Sequence, residues 1–178
     1  MDNQSFIGVD KIIDQLDIKQ DMVVADFGAG HGFFSVAMAK KVGPSGQIFA
    51  IDILESAIEG IRSRAKLEGL FNIKPIRGDL EKAGGSTLPN DDCDVVIMAN
   101  ILFQAPDKTA VLNEAKRVLK PGGRLVLVEW RPYIGIGPKK EYRVTEEELK
   151  QMIGAAGFSN PEVIDAGSHH YGFIFLKP

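Results

Sequence analysis

Residues 26–32 read Asp26-Phe27-Gly28-Ala29-Gly30-His31-Gly32, directly after the apolar run Met22-Val23-Val24-Ala25. Glycine at three alternate positions lets the backbone turn sharply and approach a ligand where any Cβ would clash. The run before it reads as a buried strand, and residues 33–41 read as a helix leaving the turn. A strand, a glycine turn and a helix N-terminus in that order form a nucleotide-type binding site. A dinucleotide fingerprint places its glycines first, third and sixth. Here the sixth place is Phe33, so the spacing points away from a pyrophosphate ligand.

The rest of the chain alternates strand and helix signals. A short amphipathic helix is expected over residues 10–16, strand one over 22–27 and a first crossover helix over 32–42. Strand two covers residues 47–51 and ends at Asp52. A helix follows over 54–70, with Gly69 at its end, and then strand three over 72–77, whose Pro75 marks an edge strand because proline cannot donate to a ladder. Residues 81–91 read as a loop. Strand four (93–99) is apolar enough to be buried on both faces. A helix over 108–119 is stopped by Pro121-Gly122-Gly123 before strand five (124–130). Thr145-Glu146-Glu147-Glu148 is a capping box that starts the last helix. Strands six (162–164) and seven (171–176) close the chain. The turn between them is too short for a parallel crossover, so strand seven should run antiparallel to its neighbour. This pattern predicts a doubly wound, Rossmann-like α/β sheet of seven mostly parallel strands in a single domain over residues 1–178.

Composition narrows the function class. The net charge of −3 offers no general attraction to phosphate backbones, which counts against a nucleic-acid substrate. Cys93 is the only cysteine, so neither an intrachain disulfide nor a cysteine-based metal cluster is expected. Residues 1–5 carry no basic segment leading into an apolar one, and no apolar run approaches the ~20 residues of a membrane span. A cytoplasmic protein without a membrane span is the expectation.

Glycines at the first, third and fifth places, with Asp26 two residues before the first, resemble motif I of the class I S-adenosylmethionine-dependent methyltransferases. Asp52 at the end of strand two, Asp79 at the end of strand three and the run Leu119-Lys120-Pro121-Gly122-Gly123 match that family in order and phase. The resemblance extends over nearly the whole chain and is nearest to the methyltransferase type 11 group, which includes the ubiquinone/menaquinone-biosynthesis type. It implies S-adenosylmethionine as cofactor and S-adenosylhomocysteine as product. Gly28, Ala29 and Gly30 would then receive the amino-acid tail, with Asp26 tolerating a cationic ligand or holding the turn's own amides. Asp52 and Ile53 would meet the ribose, although Asp52 could equally cap the next helix. Asp79 and Leu80 would meet the adenine, and Asn100 would lie beside the sulfonium or merely terminate strand four.

The acceptor side is less defined. Gln104 could orient an acceptor. Trp130, Tyr133, Tyr142 and Arg143, in or beside a substrate-side loop over residues 131–143, are pocket candidates, the alternative being a loop that packs its aromatics on the domain. His31 lies in the glycine turn. His169 and His170 fall in the final hairpin turn and are expected to be solvated. No catalytic residue stands out, and metal ligation fails on spacing and ligand count. No inserted lid is present, so a helical cover over residues 1–20, the 131–143 loop or a second subunit, as in a homodimer, would have to close the site. Methyl transfer to a small molecule is the favoured reading. A protein or RNA methyltransferase acting in a complex, and a non-catalytic binding module, are the alternatives.

Overall fold

The computed structural model describes residues 8–159 and 161–178. Its elements are α1 (Val9–Ile13), β1 (Val23–Phe27), α2 (Phe33–Val42), β2 (Gln47–Asp52), α3 (Glu55–Leu67), β3 (Ile73–Arg77), β4 (Cys93–Ala99), α4 (Lys108–Val118), β5 (Leu119–Trp130), α5 (Glu146–Ala155), β6 (Glu162–Ile164) and β7 (His170–Leu176). Seven strands form one sheet in the order β3-β2-β1-β4-β5-β7-β6. Strand β7 is antiparallel to both β5 and β6, and the remaining pairs are parallel. The chain winds outward through β1, β2 and β3, then returns to β4 on the other side of β1. Ligands of open α/β sheets bind at such a reversal, beyond the carboxyl ends of the strands.

Alternation along the strands divides the interior into two layers. Leu125 and Leu127 of β5 face one layer with Met98, Phe173 and Phe175, covered by α4 and α5 through Val111, Leu112, Leu149 and Ile153. Val126 and Val128 face the other, with Val24, Ile48 and Ile97 beneath α1, α2 and α3. Both faces of a mostly parallel sheet are thereby covered, which is why β4 reads as a continuous apolar run. β3 is the edge strand that Pro75 requires. The capping box forms in full: Thr145 Oγ1 accepts the Glu148 N–H at 3.2 Å, and Glu148 Oε2 accepts the Thr145 N–H at 2.8 Å.

Two local expectations change. Strand β5 begins at Leu119 rather than Arg124, because Leu119 pairs with Cys93 before the register jumps to Val95 opposite Arg124. The intervening Pro-Gly-Gly bulges out of the ladder, with Gly122 at φ +74°. It is braced by the last strand's exit, where the Gly122 N–H donates to the Lys177 carbonyl at 2.8 Å and the Lys177 N–H to the Gly123 carbonyl at 2.9 Å. His170, expected to be solvated, is instead fully buried as the first residue of β7. It pairs with Trp130 across the ladder and lies against that ring, centroids 4.2 Å apart. The hairpin turn is one residue shorter than the sequence implied because β5 runs through Trp130 and recruits a partner there.

Candidate functional site

The glycine turn leaves β1 with Gly28, Gly30 and Gly32 all left-handed, at φ +72°, +52° and +74°. Its amides face the neighbouring strand: the Gly28 and Ala29 N–H groups donate to the Ile51 carbonyl at 2.8 and 3.0 Å. At Gly28 and Gly32 neighbouring side chains add a steric restriction to the conformational one. A Cβ on Gly28 would lie 2.7 Å from Ile101 Cδ1, and one on Gly32 would lie 2.9 Å from Ile61 Cγ1.

Two acids organise this turn. Asp52 accepts the Gly30 N–H on Oδ2 and the Leu54 N–H on Oδ1, each at 2.9 Å. One carboxylate thus joins the turn to the segment entering α3, and each oxygen keeps a further lone pair for a ligand. Asp26 is buried, and its Oδ2 accepts the Ser35 hydroxyl at 2.5 Å, tying β1 to the first turn of α2. Burial pushes its carboxyl up to about 6, although the bonds from Ser35 pull the other way. A cation arriving at the turn would favour its charged form.

At the carboxyl ends of β1, β2 and β4 the structure opens a cavity of about 420 Å³. Of the residues singled out from sequence, Gly28, Gly30, Asp52, Ile53, Asp79, Leu80 and Gln104 line it. Asp26 and Ala29 stand behind the turn, and Asn100 is not part of the lining. The remaining wall comes from residues the sequence did not single out: Leu54, Gly78, Glu81, Ile101, Ala105 and Val111. Val111 carries the ordinary signature of a core helix position, so nothing local marked it. Asp52, Asp79 and Glu81 give the lining three carboxylates.

The wall beside Gly28 is the turn after β4. Asn100 adopts φ +59° and donates its N–H to the Val128 carbonyl at 2.8 Å. Its Nδ2 is 3.2 Å from His170 Nε2, and its own carbonyl accepts the Gln104 side-chain amide at 2.9 Å. From the opposite sheet face, Glu129 Oε1 accepts the Leu102 N–H at 2.7 Å. Glu129 is buried, and burial pushes its carboxyl up to about 7 against the pull of the Leu102 and Ile101 amides. Glu129 was not singled out and His170 was expected to be solvated, yet a lone acid on the inward face of an apolar strand was the available signal.

The four residues placed in or beside the 131–143 loop do not meet this cavity. Trp130 is buried under the loop, where a Cβ on Gly137 would come within 2.7 Å of its ring. Tyr133 and Tyr142 are exposed. Tyr142 and Arg143 instead line a second, 390 Å³ depression with Phe103, Lys108 and Met152. The Arg143 guanidinium donates to the carbonyls of Arg131, Pro132, Ile134, Ile136 and Pro138 at 2.6–3.4 Å. It is the hub on which the loop is wound. Arg143→Met is therefore expected to cost about 1–3 kcal/mol of stability and to speed proteolysis within residues 132–138, with cofactor affinity unchanged. Urea unfolding and limited digestion read both. The cover expected over residues 1–20 lies partly outside the described residues; of that segment, Ile12, Ile13 and Leu16 pack on the layer with α2, and none of residues 8–20 lines the cavity. Among the described residues no His, Cys, Asp or Glu cluster could hold a metal ion, and no helix is long and apolar enough to cross a membrane.

Known proteins share this arrangement. A family model described as a methyltransferase domain matches residues 18–169. The ubiquinone/menaquinone biosynthesis C-methyltransferase UbiE of Burkholderia vietnamiensis is 36% identical over 80% of this chain and 56% of its own length. A demethylmenaquinone methyltransferase of Staphylococcus aureus is 29% identical over 86% of this chain and 74% of its own. The chain spans about half the length of several of the curated relatives it matches. A SAM-dependent methyltransferase from Aquifex aeolicus superposes with a TM-score of 0.90 at 26% identity, covering 98% of this chain and 92% of that one. With the glycine turn, Asp52 and the antiparallel β7 in their places, the chain belongs to the class I S-adenosylmethionine-dependent methyltransferases, in the group that contains these quinone-biosynthesis enzymes.

Proposed function

We propose that the chain binds S-adenosylmethionine in the 420 Å³ cavity and transfers its methyl group to a small, quinol-type acceptor. The observation that carries the cofactor placement is Asp52, whose two oxygens already brace the glycine turn and the α3 entrance while retaining lone pairs toward the cavity. Asp52 and Ile53 hold the ribose, Gly28 and Gly30 receive the amino-acid tail with Ala29 behind them, and Asp79 with Leu80 flanks the adenine. Three lining carboxylates suit a ligand with cationic sulfonium and ammonium groups and would repel a pyrophosphate. The bound cofactor supplies an already activated methyl group, so the protein's task is proximity and orientation. Ile101 and Gln104 form the wall nearest the reacting end, with Asn100 behind them, and a general base is needed only where the acceptor loses a proton. The names of the relatives support the acceptor class: one acts in ubiquinone/menaquinone biosynthesis, another on demethylmenaquinone.

The test has two arms. Calorimetric titration with S-adenosylmethionine is expected to show one saturable site; no binding would remove the cofactor assignment. A methyl-transfer screen across quinol, phenol, amine and thiol acceptors, beside bulk RNA and protein, is expected to label quinols. Labelling of macromolecules alone would replace the small-molecule reading. Binding without transfer to any acceptor would identify a non-catalytic module.

A further inference from the structure

Glu129 is a carboxylate where the fold asks for a hydrophobe. It occupies the same inward face of β5 as Leu125 and Leu127, lies opposite Tyr171 of β7, and is 1% exposed. Oε1 takes the Leu102 N–H at 2.7 Å, whereas Oε2 is buried with no hydrogen-bond partner among the described residues. Ionic burial of this kind carries a penalty of several kcal/mol, and an apolar or amide side chain of similar size would avoid it. Holding the turn does not require the charge, because a glutamine oxygen accepts the same N–H.

The turn that the carboxylate holds forms one wall of the cavity. Leu102 follows Ile101, whose side chain packs against Gly28 and lines the cavity. Methyl transfer removes one positive charge from the ligand there: the S–CH₃ bond breaks, its electron pair stays on sulfur, and a cationic sulfonium becomes a neutral thioether. We infer that Glu129 is a specificity-determining residue for the charge of the cofactor, favouring the cationic donor over the neutral-sulfur product from one residue behind the cavity wall. This rests on the cofactor placement proposed above. The direction is useful to turnover, since a negative charge that strengthens donor binding does nothing to retain the spent product.

The test compares affinities rather than rates. At pH 8, where the carboxylate is ionised, Glu129→Gln is expected to lower the preference for S-adenosylmethionine over S-adenosylhomocysteine about tenfold, nearly all of it from weaker donor binding, as one charge seen through a protein interior predicts. Glu129→Met is expected to lower the preference equally while also weakening both ligands, because it releases the Leu102 N–H. An unchanged ratio in Glu129→Gln, even with both affinities reduced, would overturn the inference and leave a structural hydrogen bond. Absence of wild-type binding to either ligand would instead refute the cofactor placement itself. Should neither variant fold, the wild-type ratio decides. It is expected to fall between pH 8 and 6.5 as Glu129 takes up a proton, and a flat ratio would overturn the inference. The charges to account for are Lys108 at the start of α4, Tyr171 and His170 on β7 and Asp26 on β1. Burial raises Asp26 to about 6 and Glu129 to about 7, and it holds Tyr171 well above its usual range.

Discussion

Asp52→Ala is expected to weaken S-adenosylmethionine binding about a hundredfold in calorimetric titration, the order that two charge-assisted hydrogen bonds contribute. The loss has two sources. The ribose diol loses its acceptor, and the Gly30 and Leu54 amides lose the bridge that fixes the glycine turn against the α3 entrance. Asp52→Asn separates them. One amide oxygen can still hold one of the two N–H groups, so the turn is half retained while the negative charge disappears, and a loss of about tenfold is expected. Neither variant should lower the melting temperature much, because the side chain is only half-buried. Wild-type affinity in Asp52→Ala would reduce this carboxylate to a brace and remove the ribose assignment. A collapse in melting temperature would show that the turn depends on it for folding.

Legibility from sequence followed the range over which each constraint acts. The glycine turn, the capping box at Thr145, the edge position of β3 and the antiparallel β7 were all readable, because each is dictated by a few adjacent residues or by the length of one connection. Asp52 was readable from its place at the end of strand two, and Asp79 and Leu80 through the family resemblance, in phase behind the glycine turn. Ile101 and Val111 were not. They line the cavity because β4 lies beside β1 and α4 leans over it, and no local pattern distinguishes an apolar residue facing a cavity from one facing a core. His170 shows the same limit from the other side. Its burial depends on Trp130, forty residues earlier by number and adjacent only across the β5–β7 ladder. Arg143 was singled out as a pocket candidate because it lies in an aromatic, glycine-rich loop. Whether such a guanidinium meets a ligand or the loop's own carbonyls is decided by backbone geometry, which sequence does not display.

Arg117→Met is expected to cost about 3–5 kcal/mol of stability at pH 7, the usual consequence of leaving a buried carboxylate without its cation. Glu114, on the same face of α4, is 3% exposed and accepts five hydrogen bonds. Its Oε1 takes the Ser86 hydroxyl, the Ser86 N–H and Arg117 Nη2, at 2.5, 3.0 and 2.7 Å. Its Oε2 takes the Gly84 N–H and Arg117 Nε, both at 2.9 Å. Burial alone would raise this carboxyl, but the bonds from Arg117, Ser86 and Gly84 outweigh it and hold it down at about 2. A group whose folded value lies below its unfolded value of 4.5 contributes stability that is complete above pH 4.5 and is lost as pH falls toward 2. In Arg117→Met the carboxylate has lost its cation and gains from protonation instead. The gap between wild type and variant, measured by urea midpoint, should therefore be widest at pH 7 and should narrow by pH 3; a gap below about 1 kcal/mol at pH 7 would place this pair with ordinary surface bridges. Glu114→Met/Arg117→Met should recover part of the loss, because no unpaired charge remains buried. The pair also bears on the site. Arg117 Nη1 holds the Leu88 carbonyl and Asn90 Oδ1, each at 2.8 Å, so the two side chains together anchor the loop that leaves the cavity at Asp79 and Glu81. Loosening that anchor should weaken cofactor binding at the adenine end while leaving the Asp52 bridge intact.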